Sequence, residues 1–169
     1  MLVTDAQLQQ LATRVAAALS ARAWRLVTAE SLTGGQIAKV CTDIPGSSAW
    51  FDRAFVTYSP QAKQEMLGLS SELLERAGIV SEAVAAAMAS AALARSQAEV
   101  SIAVTGVAGP GGGSAQTPVG TLCCAWMDRD RLAEKQPPQV ETCHFNGDRD
   151  QVRRQSVQYS LARLLDILA

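Results

Sequence analysis

The sequence predicts one α/β domain over residues 1–169, with a mixed, mostly parallel sheet covered by helices. Three observations carry this. Helical and strand-like patterns alternate through the first half of the chain, and strand patterns cluster afterwards. Two glycine-rich turns, one at Gly34-Gly35 and one between Gly106 and Gly113, each follow the carboxyl end of an apolar strand. Ligands of such sheets collect outside the carboxyl ends of the strands, so the two turns point to one site.

Each element has a local reason. Thr4 and Gln7 form a capping box, and Leu8, Leu11, Ala12, Val15, Ala18 and Leu19 mark one face of a helix reaching about Arg22. A first strand spans 25–29, then the Glu30-Ser31-Leu32-Thr33-Gly34-Gly35 turn, then a short helix over 36–41. Ile44-Pro45-Gly46-Ser47-Ser48 is a loop anchored by Trp50 and Phe51. A second strand over 55–58 stops at Ser59-Pro60, and Pro60 starts a helix that Gly68 ends. Another short helix spans 70–77. Ser81 caps an Ala-rich helix to about Arg95, with Val84, Ala87, Met88 and Ala91 on its packed face. Strands follow at 99–104, 119–127 and 140–145, with the charged stretch 129–138 expected as an exposed hairpin. Gly147-Asp148 opens the last helix, striped by Val157, Leu161, Leu164, Leu165 and Leu168.

Composition narrows the function classes. The chain is 48% hydrophobic and 18% charged, with a net charge of −1, which argues for a packed globule and against a general nucleic-acid binder. No apolar run reaches membrane-spanning length. Cys41, Cys123, Cys124 and Cys143 lack the paired spacing of a metal site or a disulfide framework, so a cytoplasmic setting is expected. Cys123 and Cys124, adjacent in a strand, should face opposite sides of the sheet.

The turn after the first strand presents the Ser31 hydroxyl beside unpaired backbone N–H groups. Such a turn can activate a serine, hold an anion or simply cap a helix with Ser31 or Thr33. A nucleophilic serine needs a base. The one histidine, His144, reads as structural. Of the three lysines, Lys39 lies about two helical turns from Ser31 and Lys135 sits in the charged stretch. Lys63, just after Tyr58-Ser59-Pro60, reaches Ser31 if the second strand lies beside the first. There Tyr58 could relay the proton or orient the amine; otherwise Lys63 is a surface residue and Tyr58 a half-buried aromatic. Thr105-Gly106 and the glycines to Gly113 fit neither a Walker loop nor a dinucleotide fingerprint, which leaves a backbone nest for an anion or a flexible loop. Arg149, at a helix start, is a phosphate ligand or a paired surface charge.

Ala29-Glu30-Ser31-Leu32-Thr33-Gly34-Gly35, Asp43-Ile44-Pro45-Gly46-Ser47-Ser48, Val56-Thr57-Tyr58-Ser59-Pro60-Gln61-Ala62-Lys63, Gly78-Ile79-Val80-Ser81, residues 105–113, Pro118-Val119-Gly120 and Phe145-Asn146-Gly147-Asp148-Arg149 follow one another along the chain. In that order they resemble the blocks of the CinA C-terminal domain family, its stand-alone nicotinamide-nucleotide amidohydrolases in particular. The resemblance implies hydrolysis of the carboxamide of nicotinamide mononucleotide to nicotinate mononucleotide and ammonia, in pyridine nucleotide recycling. It implies no metal, no cofactor and a homodimer. By that match Ser31 is the nucleophile, with Lys63 and Tyr58 as its base system. Thr33, Gly34 and Gly35 would surround the oxyanion, and Ser48, Thr105, Gly106, Gly112 and Arg149 would complete the substrate-binding set.

Four positions depart from the family pattern. Leu32 stands for a cysteine, Pro60 for an asparagine, Ala54 for a glycine and Thr117 for a lysine. Pro60 bears on the aim of Tyr58 and Lys63, and Thr117 on phosphate affinity. A nucleotide-binding paralogue with no catalysis or altered specificity is the alternative these departures leave.

Overall fold

The capping box at Thr4 and Gln7 opens α1 (Asp5–Ala21), whose Leu8, Leu11, Ala12, Val15 and Leu19 are buried. This computed structural model describes residues 2–169, so residue 1 of the domain expected over 1–169 lies outside the described residues. After α1 come β1 (Leu26–Glu30), α2 (Gln36–Thr42), a 3-10 turn (Ser47–Ala49) and β2 (Phe51–Val56). Next are α3 (Pro60–Leu67), α4 (Ser71–Ala77) and α5 (Glu82–Ala94). The chain closes with β3 (Val100–Gly106), β4 (Thr121–Asp128), α6 (Arg129–Ala133), β5 (Gln139–His144) and α7 (Arg149–Leu168).

The five strands lie in the order β2-β1-β3-β4-β5. β1 is parallel to both β2 and β3, while β4 is antiparallel to β3 and β5 to β4. Only β4 therefore runs against the rest. The expected mixed, mostly parallel sheet is what forms, with β1 between two parallel neighbours.

A side-chain period of two divides the core between the sheet's faces. On β4, Leu122, Cys124 and Trp126 join α1, α2 and α7, whereas Cys123, Ala125 and Met127 join the face covered by α4 and α5. Burial pushes the Cys124 thiol up, so it behaves as a small apolar side chain. Leu161 and Leu164 of α7 are wholly buried on the first face. Truncating either to alanine removes about 2–5 kcal/mol of stability. Among the described residues no helix is long and apolar enough to cross a membrane.

Three local expectations need correcting. The second strand spans Phe51–Val56 rather than 55–58, and Tyr58 lies beyond it, exposed. As an edge strand, β2 is half-exposed along most of its length, which hides its period. The charged stretch after β4 is not a simple hairpin. Asp128 caps it, accepting from Arg131 N at 2.8 Å, and α6 forms. Arg129 is drawn inward, donating to the carbonyls of Leu93, Ser96 and Ala98 at the end of α5. On α5 itself the buried face is Val84, Ala85, Met88, Ala89, Ala92 and Leu93, with Ala87 and Ala91 at its margin.

Candidate active site

The site is built where β1 and β2 end side by side. Ser31 N–H donates to Val104 O at 3.0 Å, which continues the β1–β3 ladder one residue past the strand. Thr57 N–H donates to Glu30 O at 2.9 Å, which does the same toward β2. Ser31 is thus held from both sides at the carboxyl edge of the sheet. The chain then enters α3 through Ser59, whose Oγ accepts from Ala62 N, with Pro60 at the first helical position where no N–H is needed. One turn later Lys63 points back beneath the strands.

Lys63 Nζ lies 3.0 Å from Ser31 Oγ and 2.8 Å from Thr57 O, and the side chain is wholly buried. Pro60 therefore leaves the amine aimed at the hydroxyl. Neither partner is charged. Burial lowers the Lys63 pKa from 10.5 to about 8, so a neutral amine is accessible near physiological pH. Lys39 is treated in the opposite way: exposed, it pairs with Asp43 at 2.6 Å, and that carboxylate raises its pKa.

Ser31 lines a cleft of about 270 Å³ together with Leu32, Tyr58, Ile79, Thr105, Gly106 and Arg149 among others. Larger clefts occur between α1 and α7, and around Asp5, Lys39 and Arg154, but neither holds the hydroxyl–amine pair. Arg149, the first residue of α7, spans the mouth. Its Nη1 donates to Gly109 O at 2.7 Å and its Nη2 to the Tyr58 hydroxyl at 2.9 Å. Tyr58 makes no hydrogen bond with Lys63; its hydroxyl is engaged at the rim. Thr105 Oγ1 donates to Ile79 O at 2.9 Å, fixing the loop before α5 as the opposite wall. Gly106 must be glycine, because a Cβ there would collide with Thr121 O and press on Leu32.

The remaining expected residues divide. Thr33, Gly34 and Gly35, the later residues of the turn after β1, are not among the residues that line the cleft. Gly34 N–H is already bound to Ser31 O at 2.9 Å, whereas Leu32 and Thr33 N–H carry no hydrogen bond among the described residues. Among the described residues, the N–H groups of this turn left for an oxyanion are therefore those of Leu32, Thr33 and Gly35, not that of Gly34. Gly111 rather than Gly112 lines the cleft. Ser48 lies on the 3-10 turn that precedes β2, at the amino end of the parallel strands and not in this cleft. A five-residue strand separates the two ends by about 16 Å. Thr117 is turned into its own loop, where Ser114 Oγ accepts from Thr117 N.

Sequence reasoning assigned no role to Glu30 or Arg153. Glu30 is wholly buried and accepts four hydrogen bonds, from Thr28 Oγ1, Thr33 Oγ1, Ile37 N and Ala38 N. Arg153 Nη2 donates to Thr33 O at 2.8 Å. An acid closing an apolar strand just before a helix start is the sequence signal that could have marked Glu30.

Residues 8–168 match the CinA C-terminal domain family. The chain is 48% identical over 162 residues to the nicotinamide-nucleotide amidohydrolase PncC of Escherichia coli (strain K12), covering 96% of this chain and 95% of that one. It is 45% identical over 157 residues to the protein of the same name from Pseudomonas putida, covering 93% and 94%. Among solved structures, the competence damage-inducible protein A of Klebsiella pneumoniae subsp. pneumoniae MGH 78578 superposes with a TM-score of 0.89 at 39% identity, over 95% of this chain and 96% of that one.

Proposed function

The chain belongs to the CinA C-terminal domain family, and on that footing we propose that it hydrolyses the carboxamide of nicotinamide mononucleotide to nicotinate mononucleotide and ammonia. The observation that carries this reading is the buried Lys63 amine 3.0 Å from the Ser31 hydroxyl, at the floor of an open cleft.

The geometry supports a serine-type route. Neutral Lys63 takes the Ser31 proton as Oγ forms a bond to the amide carbon. The developing oxyanion lies beside the N–H groups of Leu32 and Thr33; one such donor lowers a barrier by about 3 kcal/mol. Lys63 ammonium then returns the proton to the amide nitrogen, the C–N bond breaks and ammonia leaves. Water attacks the acyl-enzyme as its proton passes to Lys63. The Ser31 Oγ–C bond breaks, Lys63 returns the proton to Ser31 Oγ, and the acid leaves as carboxylate with its own proton lost to solvent. Tyr58, held by Arg149, shapes the mouth rather than relaying the proton. Arg149, with the backbone of residues 106–111, faces the ribose phosphate.

The same reading places the protein in pyridine nucleotide recycling in the cytoplasm, as a homodimer that requires no metal or other cofactor. The test is ammonia release from a panel of pyridine nucleotides and simple amides, with chelator present. Release from nicotinamide mononucleotide that vanishes in Ser31→Ala supports it. Saturable nucleotide binding with no release at any pH makes the chain a binding paralogue instead.

A further inference from the structure

We infer that Glu30 is a positioning residue for the Ser31 hydroxyl: from the sheet face away from Lys63, its carboxylate ties the turn after β1 to the start of α2. This rests on the proposed Ser31–Lys63 chemistry and extends it to a residue that touches neither substrate nor base.

Alternation along β1 sets the two faces apart. Val27 and Ala29 pack with the cluster that includes Leu67 of α3, whereas Leu26 packs with Ile37 of α2. Thr28 and Glu30 share Leu26's side, and Ser31 returns to the side of Lys63. Among the described residues Lys63 bonds only Ser31 Oγ and Thr57 O. The sheet thus keeps the carboxylate from stabilising the ammonium form of the base.

On its own face the carboxylate is saturated. Oε1 accepts from Thr28 Oγ1 at 3.1 Å and Ala38 N at 2.9 Å; Oε2 accepts from Thr33 Oγ1 at 2.7 Å and Ile37 N at 3.0 Å. A buried carboxylate persists only when so satisfied. The turn is then pinned again, by Arg153 on Thr33 O and by Gly34 N–H on Ser31 O. Both the Ser31 hydroxyl and the free N–H groups of Leu32 and Thr33 ride on this turn. The cleft walls, from residues 79–80 and 105–111, do not. Loosening Glu30 should therefore reduce turnover and leave ground-state binding nearly unchanged.

Glu30→Gln keeps the size but offers one oxygen, so an NH₂ group must face either Ile37 N–H or Ala38 N–H. Turnover per folded molecule should fall about 10- to 100-fold, with KM within about threefold. The midpoint of the pH–rate profile should stay where Lys63 sets it. Thr33→Val removes one turn contact and should act in the same direction more weakly. Thr28→Val removes a contact on the strand and should leave turnover unchanged; these two decide the matter if the Gln variant does not fold. A second readout needs no nucleotide: the rate at which a fluorophosphonate phosphonylates Ser31, with loss of fluoride. If wild type releases no ammonia yet Ser31 is phosphonylated and slows in Glu30→Gln, the substrate assignment fails and the role of Glu30 stands. A Gln variant equal to wild type in both readouts overturns it. So does a pH midpoint moved by a unit or more, which makes Glu30 a counter-charge to Lys63, and so does a wild-type Ser31 inert to both.

Discussion

Glu30 and Lys63 are both wholly buried, one on each face of the same strand end, and the protein treats them in opposite ways. The carboxylate has four donors around it; among the described residues the amine has two uncharged partners and no paired counter-charge. A saturated charge is a fixed support. A buried amine without a counter-charge sheds its proton easily, which is what a base for a serine requires. On the proposed reading, one face of the sheet supplies rigidity, and the other holds a readily deprotonated amine for the chemistry.

The sharpest way to break this contrast is to remove the amine. Lys63→Met should lower ammonia release by at least about 10³-fold, measured as initial rates, while circular dichroism stays that of wild type. Retained turnover would show that the amine is not the base.

Removing the other charge should act on stability first. Glu30→Ala leaves two backbone N–H groups and two hydroxyls without their acceptor, at a cost of about 3 kcal/mol in urea unfolding. Loss of under 1 kcal/mol would show that the support is not carried by the carboxylate.

Lys63 also predicts how stability follows pH. Lys63 titrates at about 8 when folded against 10.5 as its ordinary value. Below pH 8 both states hold the proton and the folded state carries the full penalty of burying it. Between 8 and 10.5 the unfolded state binds more protons, so stability rises with pH by up to about 3 kcal/mol, and is complete above 10.5. Lys63→Met should flatten that rise. An equal rise in the variant would assign it to other groups.

The smallest effects belong to the rim. Arg149→Ala should raise KM about tenfold, because it frees Tyr58 and the residue 109 carbonyl and removes a guanidinium from the mouth. Tyr58→Phe should change kcat by no more than about threefold. A loss near that of Lys63→Met would return Tyr58 to a proton-relay role.

Much of this was legible in the sequence. The parallel layout followed from apolar strands ending in glycine turns, and the Ser31–Lys63 meeting followed once β2 was set beside β1. Family resemblance then favoured a nucleophile over a cap at Ser31. Edge strand β2 was displaced because only its last residues look apolar, while half-exposure blurs Phe51 and Ala54. α6 was hidden because Arg129 reads as a surface charge until the carbonyls at the end of α5 are in place around it. Arg149 and Tyr58 are 91 residues apart, so their hydrogen bond has no local signature. Glu30 was missed because its backbone donors lie seven and eight residues downstream, on a helix that its own carboxylate holds.

The central claim is that burial lowers the Lys63 pKa far enough for its neutral form to serve as the base for Ser31. Its most direct test follows the Lys63 amine by nitrogen-15 NMR and the rate of ammonia release from nicotinamide mononucleotide over the same pH range. The account predicts that both titrate together at about pH 8, the rate falling about tenfold per unit below it and levelling above. A lysine that titrates near its ordinary 10.5, or a rate indifferent to pH between 6 and 9, contradicts it.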